Sequence, residues 1–471
     1  MLPKLANQPL ESHWLYNLPT ETLPTPDPTF DKSFHVVIIG GGLSGVSTAY
    51  HLAKLNSSLK IAILEARTVA GGATGRNGGL VAPRVAGSYQ QVATRVASAL
   101  GLVQDANVIA NETIKLRRFG FDNAYALRNF CAEFVAGGGT LDPLFSEFSV
   151  GSVTGLTSVE ERNKVLDEME SWRPYLEEGV DPLPFLVESD DVIEWTGMRR
   201  NSMKHFAHGG IVYKHWCVQP ANLALAIAKS AIQHGAVSIY QNCLVSKINR
   251  IQNEDGSWSF SVETSIGEFT TSTHIIYATN AWTSCILPNI QITPIRNQLI
   301  STTPLPARHK WRQNAFALMM NEGYEYASGR VDGRVVLGGM RYLSVDMDVG
   351  CDRDDLLNET VSKALRGYLP ANFDGFGGKD DEGDGSSVEV EREWSGIMGW
   401  TQDKFPYVGP LAGIKDCGQG EIIIAGCWGH GMARCFLSGL AVAEIILGKE
   451  PSGNFPKCFL PTTARIENQE K

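Results

Sequence analysis

The first clear pattern in the chain is an unbroken apolar run, Phe34-His35-Val36-Val37-Ile38-Ile39, that stops at glycine. A short β-branched run without polar alternation reads as a parallel strand buried on both faces. The period then changes. Val46, Ala49, Tyr50 and Ala53 recur at helical spacing, which predicts a helix, and Lys60-Ile61-Ala62-Ile63-Leu64 returns to a strand pattern. The same exchange of periods occurs again downstream. Val218-Gln219-Pro220-Ala221-Asn222 opens an amphipathic helix carrying Leu223, Ile227 and Ala231, which passes through Gly235-Ala236 to a strand at 237–240 and then to Leu244-Val245. Residues 274–277 and 422–426 read as further buried strands, and an apolar helix follows from 436 to 447. Strands alternating with helices predict an α/β fold around a parallel sheet. Residues 292–302, 316–320, 324–326 and 334–342 are strand-like without intervening helices.

The glycines between the first strand and helix add chemistry to this outline. Gly40-Gly41-Gly42-Leu43-Ser44-Gly45 is a G-x-G-x-x-G motif set between strand and helix, and Glu65 ends the second strand 20 residues after Gly45 (65 − 45). Gly40 permits the tight turn, Gly42 lets a pyrophosphate approach the backbone, and Gly45 lets helix and strand pack closely. Leu43 and Ser44 open the helix, whose free N–H groups and dipole favour phosphate. Glu65 is placed to accept hydrogen bonds from ribose hydroxyls. A second glycine-dense loop follows at once: Gly71-Gly72-Ala73-Thr74-Gly75-Arg76-Asn77-Gly78-Gly79-Leu80. It suits a larger dinucleotide with a flat ring system, with Arg76 and Asn77 offering donors. Nine of the chain's 48 glycines fall between Gly40 and Gly79.

Charge and cysteine usage narrow the class. The 471 residues carry a net charge of −10 and no Lys/Arg cluster, which argues against nucleic-acid binding. Nine scattered cysteines without a C-x-x-C pair argue against a zinc site or a disulfide framework, and a reducing, cytoplasmic setting is expected. The apolar stretch 436–447 contains Glu444 and is too short to span a bilayer, so no membrane partner is expected. The acidic run 380–385 lacks EF-hand spacing, and no metal site is expected.

Taken with Glu65-Ala66-Arg67, the second glycine loop resembles that of the D-amino-acid-oxidase-like flavoproteins, which include glycine and sarcosine oxidases and, most similar here, γ-glutamylputrescine oxidoreductases. The resemblance covers about 34–448. It implies FAD as cofactor, a discontinuous FAD-binding domain of the βαβ dinucleotide type, and an interleaved antiparallel-sheet substrate domain. By resemblance, Val245 brings backbone groups to the adenine, while Ala278, Thr279 and Trp282 form the turn near the pyrophosphate. Gly429, His430, Gly431 and Met432 form a turn at the flavin pyrimidine edge, with His430 a backbone and packing residue. Relatives that bind flavin covalently use a His in the glycine loop or a Cys before the Phe-Pro block. The matching positions are Arg76 and roughly Gly396, so noncovalent FAD is expected. The lysines of sarcosine oxidases are matched by Ala433 (with Arg434 beside it) and, approximately, by Val336, which puts sarcosine-like turnover in doubt.

The expected division is an extended N-terminal arm at 1–33, an FAD-binding domain at 34–111, 210–287 and 392–450, a substrate domain at 112–209 and 288–391, and a tail at 451–471. By resemblance, Tyr324, Tyr326, Arg341 and Trp400, near strand ends in the matching family segments, are the candidate substrate wall, and their aromatic faces would attract a cationic amine. The resemblance implies oxidation of a C–N bond in an amine or amino acid by hydride transfer to flavin N5, followed by imine hydrolysis. Molecular oxygen is a candidate acceptor. The alternatives are an FAD dehydrogenase with another acceptor, or an FAD-binding assembly protein without amine turnover.

Overall fold

The computed structural model describes residues 9–16, 18, 23–24, 26, 32–101, 105–139, 145–147, 151–177, 180–313, 316–377 and 388–467. The acidic run 380–385 lies outside them.

The strand Ser33–Ile39 pairs in parallel with Ile61–Leu64 on one side and with Gly267–Tyr277 on the other. Val237–Tyr240 and Glu421–Ala425 extend this parallel core outward. An antiparallel hairpin, Val245–Gln252 and Trp258–Thr264, continues into the early part of Gly267–Tyr277. The unbroken apolar runs follow from burial on both faces. Val36, Ile38, Ile61 and Ile63 enter one core, and Val37, Ile39, Ala62 and Leu64 enter another behind the sheet. Alternation of side chains across a strand makes both sets apolar.

Three helices cover the first face: Leu43–Leu55, Pro220–His234 and Cys435–Ile446. The last crosses the first so closely that a Cβ at Gly439 would lie 2.7 Å from the Thr48 backbone nitrogen. Pro220–His234 is not amphipathic. Residues 220–228, Ser230 and Ala231 are all buried, because the helix contacts both Leu43–Leu55 and the long helix Ala106–Ala136.

The second sheet runs in the order Val390–Trp400, Thr293–Thr302, Val335–Gly339, Glu325–Gly329, Phe316–Met320, Gly151–Gly155, Gly210–Tyr213, Phe185–Val187. Only the Phe316–Met320 and Gly151–Gly155 pair is parallel. The fold is thus α/β, with a discontinuous dinucleotide-type domain and an interleaved, largely antiparallel sheet domain.

Several expected boundaries move. The division at 111/112 falls inside Ala106–Ala136, whose Leu116, Phe119, Leu127 and Phe130 share the first domain's core. Gly210–Tyr213 and the whole of Val390–Trp400 pair within the second sheet, so the divisions at 209/210 and 391/392 also shift. The strand expected over 334–342 ends at Gly339, and Arg341 lies in a following 3₁₀ turn.

Neither terminal segment is simply an arm or tail. In the first, His13–Tyr16 forms a helical turn with Trp14 buried. Trp14 Nε1 donates to the Asn77 carbonyl at 2.6 Å and Ser12 Oγ donates to the Gly75 carbonyl, which ties this turn beneath the glycine loop. In the second, Phe455, Cys458 and Phe459 enter the first domain's core, while Arg465 pairs with Asp403 at 2.6 Å.

Candidate active site

A cavity of about 1220 Å3 lies between the carboxyl ends of the parallel strands and the second sheet. Its floor is made where strand Ser33–Ile39 turns into helix Leu43–Leu55. Gly40 has φ +108°, and a Cβ there would sit 2.6 Å from the Ala278 carbonyl oxygen. A Cβ at Gly45 would lie 1.9 Å from the Gly40 carbonyl oxygen, so helix and strand meet at a distance only glycine allows. Gly42 is the helix N-cap and offers no side-chain cap. Thr74 Oγ1 reaches across from the second loop and accepts from the Leu43 N–H at 2.9 Å.

Glu65 accepts from the Gly41 N–H at 2.7 Å through Oε2 and from the Arg67 N–H at 2.8 Å through Oε1. Each oxygen keeps lone-pair capacity for a ligand hydroxyl. Burial raises its pKa, and the two backbone donors oppose that.

The second glycine loop is held by charge from beneath. Asp354, fully buried, receives Arg67 in a bidentate pair at 2.6 and 2.9 Å, with Arg76 Nε at 3.6 Å. Arg76 is buried and also donates to the carbonyls of Gly71, Leu10 and Ser395. Burial lowers its pKa to about 10, with Asp354 opposing. Asn77 donates to the Thr74 carbonyl at 2.7 Å and accepts from the Gly79 N–H at 2.7 Å. The Asn77 amide is therefore engaged by its own loop, and Nε and Nη1 of Arg76 by Gly71 and by the distant Leu10 and Ser395. Isolated buried polar groups are costly, and the loop satisfies its own.

Of the residues named from sequence, Gly40, Gly42, Leu43, Ser44, Glu65, Ala66, Arg67, Gly72, Ala73, Thr74, Arg76, Asn77, Gly78, Leu80, Val245, Ala278, Thr279, Trp282, Gly429, His430, Gly431 and Met432 line this one cavity. Gly45 and Gly79 do not; both are packing positions, Gly79 at φ +69° with the Val218 carbonyl oxygen 2.8 Å from where its Cβ would stand. Arg76 and Gly396 lie back to back, a Cβ at Gly396 falling 2.8 Å from that of Arg76.

The roof holds Tyr324, Tyr326, Arg341 and Trp400, all lining the same cavity. Tyr326 threads between two glycines: Cβ atoms at Gly78 and Gly338 would approach its ring to 2.7 and 2.6 Å. Asn297 Nδ2 donates to its hydroxyl at 3.1 Å. Burial raises the phenol's pKa. The Arg341 guanidinium lies over Trp400 at 4.6 Å and Tyr324 at 5.3 Å, and it has no carboxylate partner among the described residues. Burial lowers its pKa. Trp400 packs on Trp428 at 4.8 Å, and Trp428 stacks on His430 at 5.7 Å. His430 Nδ1 bonds the Trp428 carbonyl at 2.8 Å, and burial, with Arg434 adding to it, lowers the ring's pKa to about 4.

Four contributors carry no local sequence signal. Asp354 acts 287 residues from Arg67. Asn280 Oδ1 accepts from the Gly426 N–H at 3.1 Å, joining the two turns that flank the floor. His215 lines the cavity at 1% exposure with neither ring nitrogen bonded, and burial, with Arg84 and His430 adding to it, lowers its pKa to about 3. Asn297 faces the cavity with its Oδ1 unbonded. Trp282 Nε1 and Trp400 Nε1 are buried without partners as well. Buried polar atoms facing one cavity without partners are what a ligand would satisfy. A bare glycine floor, a free carboxylate edge and this roof fit an extended dinucleotide with a smaller molecule above it.

Comparison with known proteins gives the same picture. The family model described as FAD dependent oxidoreductase (DAO) matches residues 35–445. The chain is 23% identical over 425 residues to γ-glutamylputrescine oxidoreductase of Escherichia coli (strain K12), covering 88% of this chain and 83% of that protein. Glycine oxidase from Geobacillus kaustophilus superposes with a TM-score of 0.68 at 18% identity, covering 92% of this chain and 99% of that one. L-amino acid deaminase from Proteus vulgaris superposes at 0.67 with 18% identity, covering 93% and 96%.

Proposed function

This chain belongs to the FAD dependent oxidoreductase family, and on that premise we propose that it oxidises the C–N bond of an amine that carries a carboxylate, that is, an amino acid or N-substituted amino acid. One observation carries the substrate class: Arg341, a cation without a carboxylate partner among the described residues, lies between two aromatic faces in the cavity that the glycine cradle floors.

FAD, held noncovalently, supplies a two-electron acceptor when bound. The chain's residues bind and orient. Glu65 accepts from the ribose hydroxyls, and the backbone at Gly42, Leu43 and Ser44 receives the phosphates at the positive end of the helix. Val245 would hold the adenine, and Trp282 with the turn at Ala278 and Thr279 would hold the pyrophosphate. Gly429, His430, Gly431 and Met432 offer backbone at the far end of the cradle. Arg341 pairs with the substrate carboxylate in a charge-assisted bond. Trp400 and Tyr324 keep that guanidinium in place and exclude water, and Tyr326, fixed by Asn297, sets the depth of the pocket. The Cα–H bond that loses hydride is thereby held in one orientation, and orientation alone supplies a large part of such a barrier reduction. His430 and His215 are neutral at pH 7 by their depressed pKa values and add no competing charge.

The test is anaerobic mixing of FAD-loaded protein with matched pairs, each an amino acid and its decarboxylated amine. Bleaching of the visible flavin band by the acid member alone is expected. Bleaching by the amine member with equal or greater efficiency would overturn the carboxylate assignment. Bleaching by neither would overturn the amine-oxidation reading.

A further inference from the structure

Behind the far end of the cradle, strand Glu421–Ala425 gives way to a turn that leads into helix Cys435–Ile446. This turn brings two thiols together: Cys427 Sγ lies 3.5 Å from Cys435 Sγ. Ser44, in the first turn of helix Leu43–Leu55, donates its hydroxyl to Cys435 Sγ at 3.2 Å. Cys435 thus accepts from the Ser44 hydroxyl and lies in hydrogen-bonding contact with the Cys427 thiol. Arg434 stands beside both sulfurs, has no carboxylate partner among the described residues, and leaves Nη1 buried and unbonded. Both cysteines line the cavity. Cys427 is partly exposed and Cys435 buried; the other partly exposed cysteines, Cys285, Cys351 and Cys417, have no such thiol neighbour among the described residues.

We propose that Cys427 and Cys435 form a redox-active dithiol, closed to a disulfide by a peroxide and reopened by thiols. Sulfur reactivity follows thiolate character, which nearby cations, hydroxyl donors and a helix N-terminus increase. All three act on Cys435, whose pKa is lowered by the Cys427 thiol, Ser44 and Arg434. Cys427 is shifted the opposite way and stays a thiol. Cys435 thiolate attacks one peroxide oxygen, breaking the O–O bond. With hydrogen peroxide this gives a sulfenic acid and hydroxide, and the hydroxide takes up a proton to become water. The Cys427 sulfur then attacks the Cys435 sulfur, the S–O bond breaks, and a second water leaves with the thiol proton. Overall, two thiols lose two electrons and two protons, and one peroxide becomes two waters. The sulfurs must close from 3.5 Å to a bond of about 2.05 Å.

FAD-loaded enzyme is exposed to graded hydrogen peroxide, quenched, alkylated under denaturing conditions and digested without reductant. The expected product is a peptide pair joined through Cys427 and Cys435, formed before Cys285, Cys351 or Cys417 is modified, and absent after dithiothreitol. In Cys427→Ser, Cys435 should stop at a sulfenic acid trapped by dimedone. In Arg434→Met, pair formation should slow about tenfold, as expected when a cation favouring the thiolate is removed. Recovery of both thiols in reduced form while Cys285 or Cys351 is oxidised would overturn the proposal. Oxidation of Cys435 to a sulfinic acid without cross-linking in the native sequence would overturn it equally. Thiol mapping needs no amine substrate, so its failure and that of the amine-oxidation reading are separately visible.

Discussion

The floor and the roof of the cavity are built on opposite terms. On the floor, nearly every polar side chain is already engaged by the protein: Arg67 and Arg76 converge on Asp354, Asn77 bonds its own loop, and Thr74 caps Leu43. What the floor offers a ligand is bare backbone, the edge of Glu65 and the unbonded Nε1 of Trp282. On the roof, Arg341 has no carboxylate partner among the described residues, and Trp400 Nε1 and Asn297 Oδ1 are buried and unbonded. At the boundary between the two, His215 is in the same state. A floor that satisfies itself keeps its shape for one constant cofactor. A roof with unmet polar groups depends on its ligand, and discrimination follows from that dependence, since a ligand that leaves buried groups unpaired is penalised.

The largest effect should come from breaking the floor's internal charge. Asp354→Asn leaves two arginines facing one another without a carboxylate, and loss of one partner of a buried pair costs about 3–5 kcal/mol. Chemical denaturation should show that loss, with FAD content falling in parallel. Gly45→Ala comes next. Its Cβ would meet a backbone oxygen at 1.9 Å, which forces helix from strand at about 1–3 kcal/mol or more; flavin-to-protein ratio and melting temperature report it. On the roof, Arg341→Met should leave FAD content and melting temperature near the native values. It should weaken a carboxylated ligand by about 1.5–3 kcal/mol, the range for a hydrogen bond to a charged group, measured as a rise in Kd.

A pH experiment reads the buried histidines, His51 in the interior together with His215 and His430 at the cavity. His51, on the first helix, is packed against Tyr50 and Phe436, and burial, with Lys54 adding to it, lowers its pKa from 6.5 to about 3. The unfolded chain binds a proton below pH 6.5 that the folded chain refuses. This contribution is therefore complete above pH 6.5 and is lost on acidification, at about 1.4 kcal/mol per pH unit, until the folded pKa is reached. His51→Leu should make the stability curve shallower by one proton between pH 6 and 4. The smallest change is His215→Phe. No hydrogen bond within the protein is lost, so stability should move by less than about 1 kcal/mol, while carboxylate affinity shifts measurably.

What could be read from the chain beforehand divides along similar lines. The strand, glycine turn, helix, second strand and Glu65 are adjacent in sequence, and each has a local physical cause, so the dinucleotide floor is legible. So was the gathering of Tyr324, Tyr326, Arg341 and Trp400 in one cavity, although only through resemblance. The partners of Arg76 were not legible, because Asp354, Ser395 and Leu10 are supplied by three distant segments. The buried turn at His13–Tyr16 was missed because a four-residue helix has no usable period. The boundary within Ala106–Ala136 was missed because helix composition does not state which core the helix joins.

The division of labour between floor and roof is tested most directly by titrating FAD-loaded protein with a small carboxylate lacking an amine, such as propionate, and following the visible flavin spectrum. The expected result is a saturable spectral shift in the native protein that Arg341→Met abolishes at unchanged FAD content. A shift of equal amplitude and affinity in Arg341→Met, or loss of FAD from that variant, would contradict it.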